Sequence, residues 1–174
     1  MTRLGALLFV ALITGATCSP AGPERPMLLF RPGHANVAVA RGEKWQRDML
    51  PEAIAWWERE VDADWLSLSD PIDADVVVAW EPVGLGRVGE CAYLEHPRRV
   101  SLAPGRPLDV TWQALLHELG HCAAGLTHHW SRASIMFGEV PTQTDPHRGG
   151  FGAATRIWFG VLPGERDVVR QALE

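Results

Sequence analysis

The stretch His117-Glu118-Leu119-Gly120-His121-Cys122-Ala123-Ala124-Gly125-Leu126-Thr127-His128-His129 decides how the rest of the chain is read. On a helix, His117 and His121 lie one turn apart on the same face, so both imidazoles reach one metal ion. Glu118 stands beside them, placed to take a proton from a water activated by the metal and not to serve as a third ligand. Gly125 is suited to leave the helix in a left-handed conformation and turn the chain back. The histidines beyond it then close the site. An H-E-x-x-H core alone recurs by chance, and a bare His117–His121 pair would read as a solvated helix face. The glycine, the third histidine and a methionine downstream make the pattern specific.

Around that stretch, 174 residues suffice for one domain and fall short of two comfortable ones. A composition 47% apolar and 21% charged is that of a soluble globular domain. The formal net charge of -5, with basic runs no longer than Arg98-Arg99, argues against a nucleic-acid surface. The tryptophans, eight against a single tyrosine, read as core and interface packing.

The N-terminus indicates the compartment. Arg3 precedes the apolar run Leu4 to Ala16, which has the length of a signal-peptide core and is too short to span a bilayer. Residues 1–17 are therefore expected to be a signal peptide. Cys18, directly after the run, resembles the cysteine of a bacterial lipoprotein signal, which becomes a lipidated N-terminus. Gly15 and Thr17 depart from the residues usual in that pattern, and ordinary cleavage after Ala16 or Cys18 is the competing reading. Either way the mature protein is expected outside the cytoplasm, secreted or lipid-anchored at the cell envelope. Membrane contact is expected only through that anchor. Residues 18–26, rich in proline, read as a flexible tether, and 27–174 as the folded domain. An oxidising compartment permits a Cys91–Cys122 disulfide, with a buried free thiol at Cys122 as the alternative.

Within the domain, Met27 to Phe30 and Asn36 to Ala40 are short apolar runs of strand formers. Gly42 to Val61 predicts a long helix, from the three- and four-residue spacing of Trp45, Met49, Ala53, Trp56, Trp57 and Val61. Pro51 either kinks that helix or marks its start. Trp65 to Leu68 predicts a strand, and Asp75 to Trp80 a strand buried on both faces. Gly84 to Gly89 reads as a glycine-rich loop. Its G-x-G-x-x-G spacing lacks the βαβ unit that a dinucleotide site requires. Arg98 to Ala103 alternates between Pro97 and Pro104, which suits an edge strand. Asp109 or Thr111 is expected to cap the next helix, whose core side carries Trp112, Leu115, Leu116 and Leu119. Ser134-Ile135-Met136-Phe137 reads as a tight apolar turn, Thr142 to Gly152 as a surface loop and Gly164 to Glu174 as a closing helix. His34, His96 and His147 read as ordinary surface histidines, with Asp145 and His147 as an alternative structural ion site.

With these residues in place the chain resembles the metzincin zinc endopeptidases, the matrixin-like ones most closely. The resemblance runs from about Met27 to the end. It implies an α+β fold: a twisted mixed sheet with an antiparallel edge strand, two long helices, and a small C-terminal subdomain with a methionine turn and a final helix. His117 and His121 match two zinc ligands and Glu118 the catalytic carboxylate. Met136 falls where the methionine turn should lie, as an apolar floor under the zinc. Arg98 to Ala103, and within it Arg99, Val100, Ser101 and Leu102, falls where the substrate-facing edge strand should lie.

The third ligand departs from the family pattern H-E-x-x-H-x-x-G-x-x-H. One residue is added, most simply among Cys122, Ala123 and Ala124, while the spacing from Gly125 to His128 is kept. That favours His128 as third ligand, with His129 as the fallback. An added helical residue turns the chain's exit by about 100° and advances it about 1.5 Å. A one-residue bulge inside the helix would absorb it.

The activity these residues imply is hydrolysis of a polypeptide by a monomeric zinc enzyme, with Zn²⁺ as cofactor and Glu118 moving the proton. The substrate backbone would add as a strand to the sheet edge, which demands little of its sequence. Two rivals remain. The added residue spoils the site and leaves a catalytically silent extracytoplasmic binding protein, or an acidic third ligand, Glu139 being nearest, replaces the histidine. No folded propeptide is expected before the first strand, and only Cys18 is placed to mask the zinc.

Overall fold

Valine-rich Val76–Trp80, four of whose residues are buried, builds the centre of a sheet on which two helices pack. The computed structural model describes residues 27–128, 134–136 and 160–174. The expected signal peptide and tether, Cys18, His129, Glu139, the Thr142 to Gly152 loop, Asp145 and His147 lie outside them.

In chain order the elements are β1 (Ala35–Arg41), α1 (Lys44–Val61), β2 (Leu66–Leu68), β3 (Val76–Trp80), β4 (Gly89–Ala92), β5 (Arg98–Leu102), α2 (Leu108–Cys122) and α3 (Pro163–Leu173). The five strands form one mixed sheet in the order β2-β1-β3-β5-β4. All neighbours are parallel except β4, which runs antiparallel to β5. The protein is thus α+β, with an antiparallel strand at one edge. No helix of the described residues is long and apolar enough to cross a membrane.

The identity of that edge corrects an expectation. Arg99, Val100, Ser101 and Leu102 do not lie on an edge strand. Each pairs on both sides, Val100 for example with Val78 of β3 and with Cys91 of β4. Pro97 and Pro104 fall just outside β5, so neither removes a ladder donor. The strand that takes the edge is Gly-Glu-Cys-Ala of β4, too short and too poor in strand formers to announce itself. Arg99 and Ser101 both hydrogen-bond Glu81 and do not face the metal helix. The Arg99 guanidinium holds the Glu81 carboxyl down at about 2.

A second correction concerns Met27 to Phe30. It joins no sheet; Leu28 makes a single antiparallel bridge to Leu126. Leu29 N–H donates to the Gly125 carbonyl and Thr127 N–H to the Met27 carbonyl, at 2.6 and 3.0 Å. The segment clamps the chain where it leaves α2. A third correction concerns the cap of α2. The helix starts at Leu108 after Pro107, and Thr111, already inside the first turn, gives its hydroxyl proton to the Pro107 carbonyl.

The α1 helix starts at Lys44, with Gln46 Oε1 accepting the Glu43 N–H at 2.6 Å, so Pro51 stands inside it and does not begin it. Its buried stripe is Met49, Leu50, Ala53, Ile54, Trp57 and Val61. Trp57 is fully buried and donates its indole N–H to the Leu116 carbonyl, which fixes α1 against α2. Burial of each such large side chain contributes about 1.5–3 kcal/mol. A disulfide joins Cys91 of β4 to Cys122 at the end of α2, deciding the question the sequence left open. Closing a loop between residues 31 apart is worth roughly 3–4 kcal/mol in the chain-entropy model. It also ties the edge strand to the helix turn beside His121.

Candidate metal centre

The last turns of α2 present His117, Glu118 and His121 from regular helix, and the chain leaves that helix through a widened turn just after them. Ala123 N–H bonds the Leu119 carbonyl at 2.8 Å, four residues back, and Ala124 N–H bonds the same carbonyl at 3.2 Å, five residues back. Gly125 then takes a left-handed φ of +68°. Leu126 N–H closes on the Gly120 carbonyl at 2.9 Å, six residues back where the usual left-handed helix stop spans five. The helix is not bulged in its interior. Its C-terminal turn is one residue wider, and His128 is delivered all the same.

The rings of His117 and His121 are oriented by backbone carbonyls. His117 Nδ1 lies 2.7 Å from the Ile135 oxygen and His121 Nδ1 2.7 Å from the Leu126 oxygen. A carbonyl has no proton to give, so each Nδ1 carries the proton and each Nε2 is a bare acceptor. Those acceptors face one another. His117 Nε2 is 3.1 Å from His121 Nε2 and 3.3 Å from His128 Nε2. The ligand atoms of all three residues lie within 4.8 Å of one another. Four tetrahedral ligands at Zn–N distances of about 2.0–2.1 Å stand about 3.3–3.4 Å apart, so the spacing fits a cation at their centre. Converging lone pairs without a cation would repel.

Electrostatics favour the ligand form. Burial pushes His117 down to about 4, against its bond to Ile135, and burial followed by the neighbouring His117 pushes His121 down to about 4. His128 is lowered by partial burial. All three are therefore neutral imidazoles at neutral pH, the state a metal requires.

Glu118 is only 7% exposed and makes no hydrogen bond among the described residues. Burial, and then Glu90 of β4, pushes its carboxyl up to about 8 against the pull of Arg87. A cation bound beside it would act in the opposite direction. Its carboxylate rests on Gly89. A Cβ there would sit 2.7 Å from Glu118 Cγ and 2.8 Å from Oε1. Gly89 is thus a site residue that the sequence reading left in a loop; its one signal was a glycine opening a strand.

Met136 is fully buried below α2. A Cβ on Gly120 would overlap its sulfur and lie 3.0 Å from Trp57 Cζ2, so only glycine lets the thioether this close to the helix. Of the expected site residues, His117, Glu118, His121, His128 and Met136 come together. Arg99 to Leu102 belong elsewhere, and His34 and His96 are exposed on the surface.

No protein-family model matches this chain, and no curated protein sequence matches it. Fold and site together define an α+β domain whose five-stranded mixed sheet and α2 support a three-histidine cluster able to hold a metal ion.

Proposed function

We propose that the protein is a zinc-dependent endopeptidase of the metzincin type, acting outside the cytoplasm on polypeptide. The observation that carries this is the convergence of three imidazole rings, two of them with Nε2 left bare by their carbonyl-bonded Nδ1, beside a buried carboxylate that has no hydrogen-bond partner among the described residues. Three histidines, with no fourth protein ligand among the described residues, match the donor set of a catalytic zinc site. Zn²⁺ held there would polarise the scissile carbonyl and lower the pKa of an attacking water toward about 7.

The chain's own residues do the rest. His117, His121 and His128 fix the ion, the first two through rings locked by the Ile135 and Leu126 carbonyls. Glu118, held against Gly89, takes the proton of the attacking water and passes it to the leaving amine. The edge of β4, unpaired among the described residues, begins at Gly89 beside that carboxylate and would offer its backbone to an extended substrate strand. Met136 forms the apolar floor of the site. The Cys91–Cys122 disulfide supports an oxidising compartment.

The test is cleavage of an unfolded protein by the zinc-loaded enzyme, with and without chelator, alongside Glu118→Gln. Chelation should abolish cleavage. Glu118→Gln should lower the rate by about 10²–10⁴ while zinc content stays at one per chain. Retained activity in that variant would sink the mechanism. Failure to bind zinc at neutral pH would instead indicate a silent binding protein of the same fold.

A further inference from the structure

Among the described residues, Glu165 of α3 is buried more completely than Glu118, at 1% exposure, yet it lies on a different element from the cluster. Its Oε2 accepts the Leu162 N–H at 2.8 Å, which is an ordinary capping contact for the start of α3. Its Oε1 makes a contact that capping does not need: it accepts the hydroxyl proton of Ser134, itself fully buried, at 2.5 Å.

A hydroxyl has one proton. With that proton committed to Glu165, the Ser134 oxygen can only accept from the chain around it, and it accepts the Met136 N–H at 2.9 Å. Ile135 N–H is held in turn by the Gly160 carbonyl at 3.0 Å. The turn Ser134–Met136 is thus fixed on both sides, and its free carbonyl, that of Ile135, points at His117 Nδ1. The chain of contacts runs from the Glu165 carboxylate through Ser134 to the carbonyl that sets the tautomer and ring angle of His117.

We propose that Glu165 is a positioning residue for the metal centre, acting through Ser134 and the Ile135 carbonyl on His117. The proposal rests on the reading of the histidine cluster as a metal site. An anion is required at Glu165 because both oxygens must accept. An amide of the same shape would turn its NH₂ either toward the Leu162 N–H, donor against donor, or toward Ser134, whose own proton would then lose its partner. Partners of metal-bound histidines are worth about 10–100-fold in metal affinity when removed. Glu165 acts one contact further out, so the lower part of that range applies.

The experiment compares Glu165→Gln and Ser134→Ala with the unaltered protein. Zn²⁺ affinity is measured by chelator competition, and the visible spectrum is recorded with Co²⁺ in place of zinc. Circular dichroism of the metal-free proteins reports folding separately. Both variants should remain folded, bind zinc about 10-fold more weakly and show a shifted Co²⁺ spectrum. Arg170→Ala on the same helix, which among the described residues breaks only an exposed pair with Asp62 at the end of α1, should change neither. Folded variants with unchanged affinity and spectrum would overturn the proposal while leaving the metal site intact. An unaltered protein that binds neither ion would overturn the site reading itself. If neither variant folds, Glu165 is a determinant of the fold and the positioning role is rejected.

Discussion

The two halves of the histidine cluster are built on opposite principles. His117 and His121 stand on regular helix, where one turn of backbone brings both side chains to the same face. His128, together with the carbonyls that orient the helix pair, comes from chain with no regular structure. That half depends on distant segments: Met27 and Leu29 clamp the exit of α2, and Gly160 and Glu165 hold the Ser134–Met136 turn. The difference teaches where tolerance lies. The irregular half takes up its length in one wide turn, closed across six residues at Leu126 where five is usual. One residue more between His117 and His121 would turn one ring by about 100° away from the other.

Removing one ligand from each half gives the largest expected effect. His121→Ala and His128→Ala should each weaken zinc by more than the roughly 100-fold seen when a ligand's supporting partner is lost. Equal losses, measured by chelator competition, would mean that both halves contribute fully. A His128→Ala protein that still binds zinc tightly, with affinity lost instead in His129→Ala, would show that the irregular half delivers the neighbouring histidine.

Burial separates the halves again, and it does so in a way that pH can read. His117 and His121 have folded-state values near 4, below the ordinary 6.5. Their neutral forms are favoured by folding, so their contribution is complete above pH 6.5 and is lost as pH falls toward 4. Glu118 has the opposite sign. Its value is raised from 4.5 to about 8, so its contribution is complete below pH 4.5 and is lost as pH rises through 8. Each proton is worth about 1.4 kcal/mol per pH unit. The metal-free protein should therefore be most stable near pH 6–7, falling by on the order of 2 kcal/mol by pH 8 and about twice that by pH 4, as measured by urea midpoints across pH. Glu118→Gln should flatten the alkaline side and steepen the acid side between pH 4.5 and 6.5, where the two signs oppose each other. A profile unchanged by that substitution would mean that Glu118 is solvated in the metal-free protein.

The sequence was legible where a period governs. The i, i+4 spacing placed His117 and His121 on one helix face, and the run Val76-Val77-Val78-Ala79 marked the buried centre of the sheet. It was illegible where long-range pairing decides. Nothing local in Gly89-Glu90-Cys91-Ala92 distinguishes an edge strand from a loop, because its only ladder partner among the described residues is β5. The alternation in Arg98–Leu102 was real, yet alternation does not reveal whether one side or both are paired. Gly89 escaped notice as a site residue because its role is the space it leaves for Glu118. The added residue was visible as a spacing defect, but its place in the C-terminal turn depended on carbonyls that only the folded chain brings near.

A pair of glycines tests how tightly the irregular half is held. Gly125 and Gly105 both have left-handed φ, +68° and +72°. They differ in surroundings. A Cβ on Gly105 meets nothing within 4 Å, whereas one on Gly125 would come 2.7 Å from the backbone oxygen of Phe30. Gly105→Ala should therefore cost only the left-handed penalty, about 1 kcal/mol. Gly125→Ala should cost that and more, about 2–3 kcal/mol, since a backbone oxygen cannot swing aside as a side chain does. The excess would be borne by the clamp between Met27–Phe30 and the exit of α2. Leu126, whose carbonyl orients His121, is the next residue, so Gly125→Ala should also weaken zinc, and Gly105→Ala should not. Equal stability losses in urea, with zinc affinity untouched in both, would mean that the exit of α2 yields to a methyl group and that the irregular half is looser than its hydrogen bonds suggest.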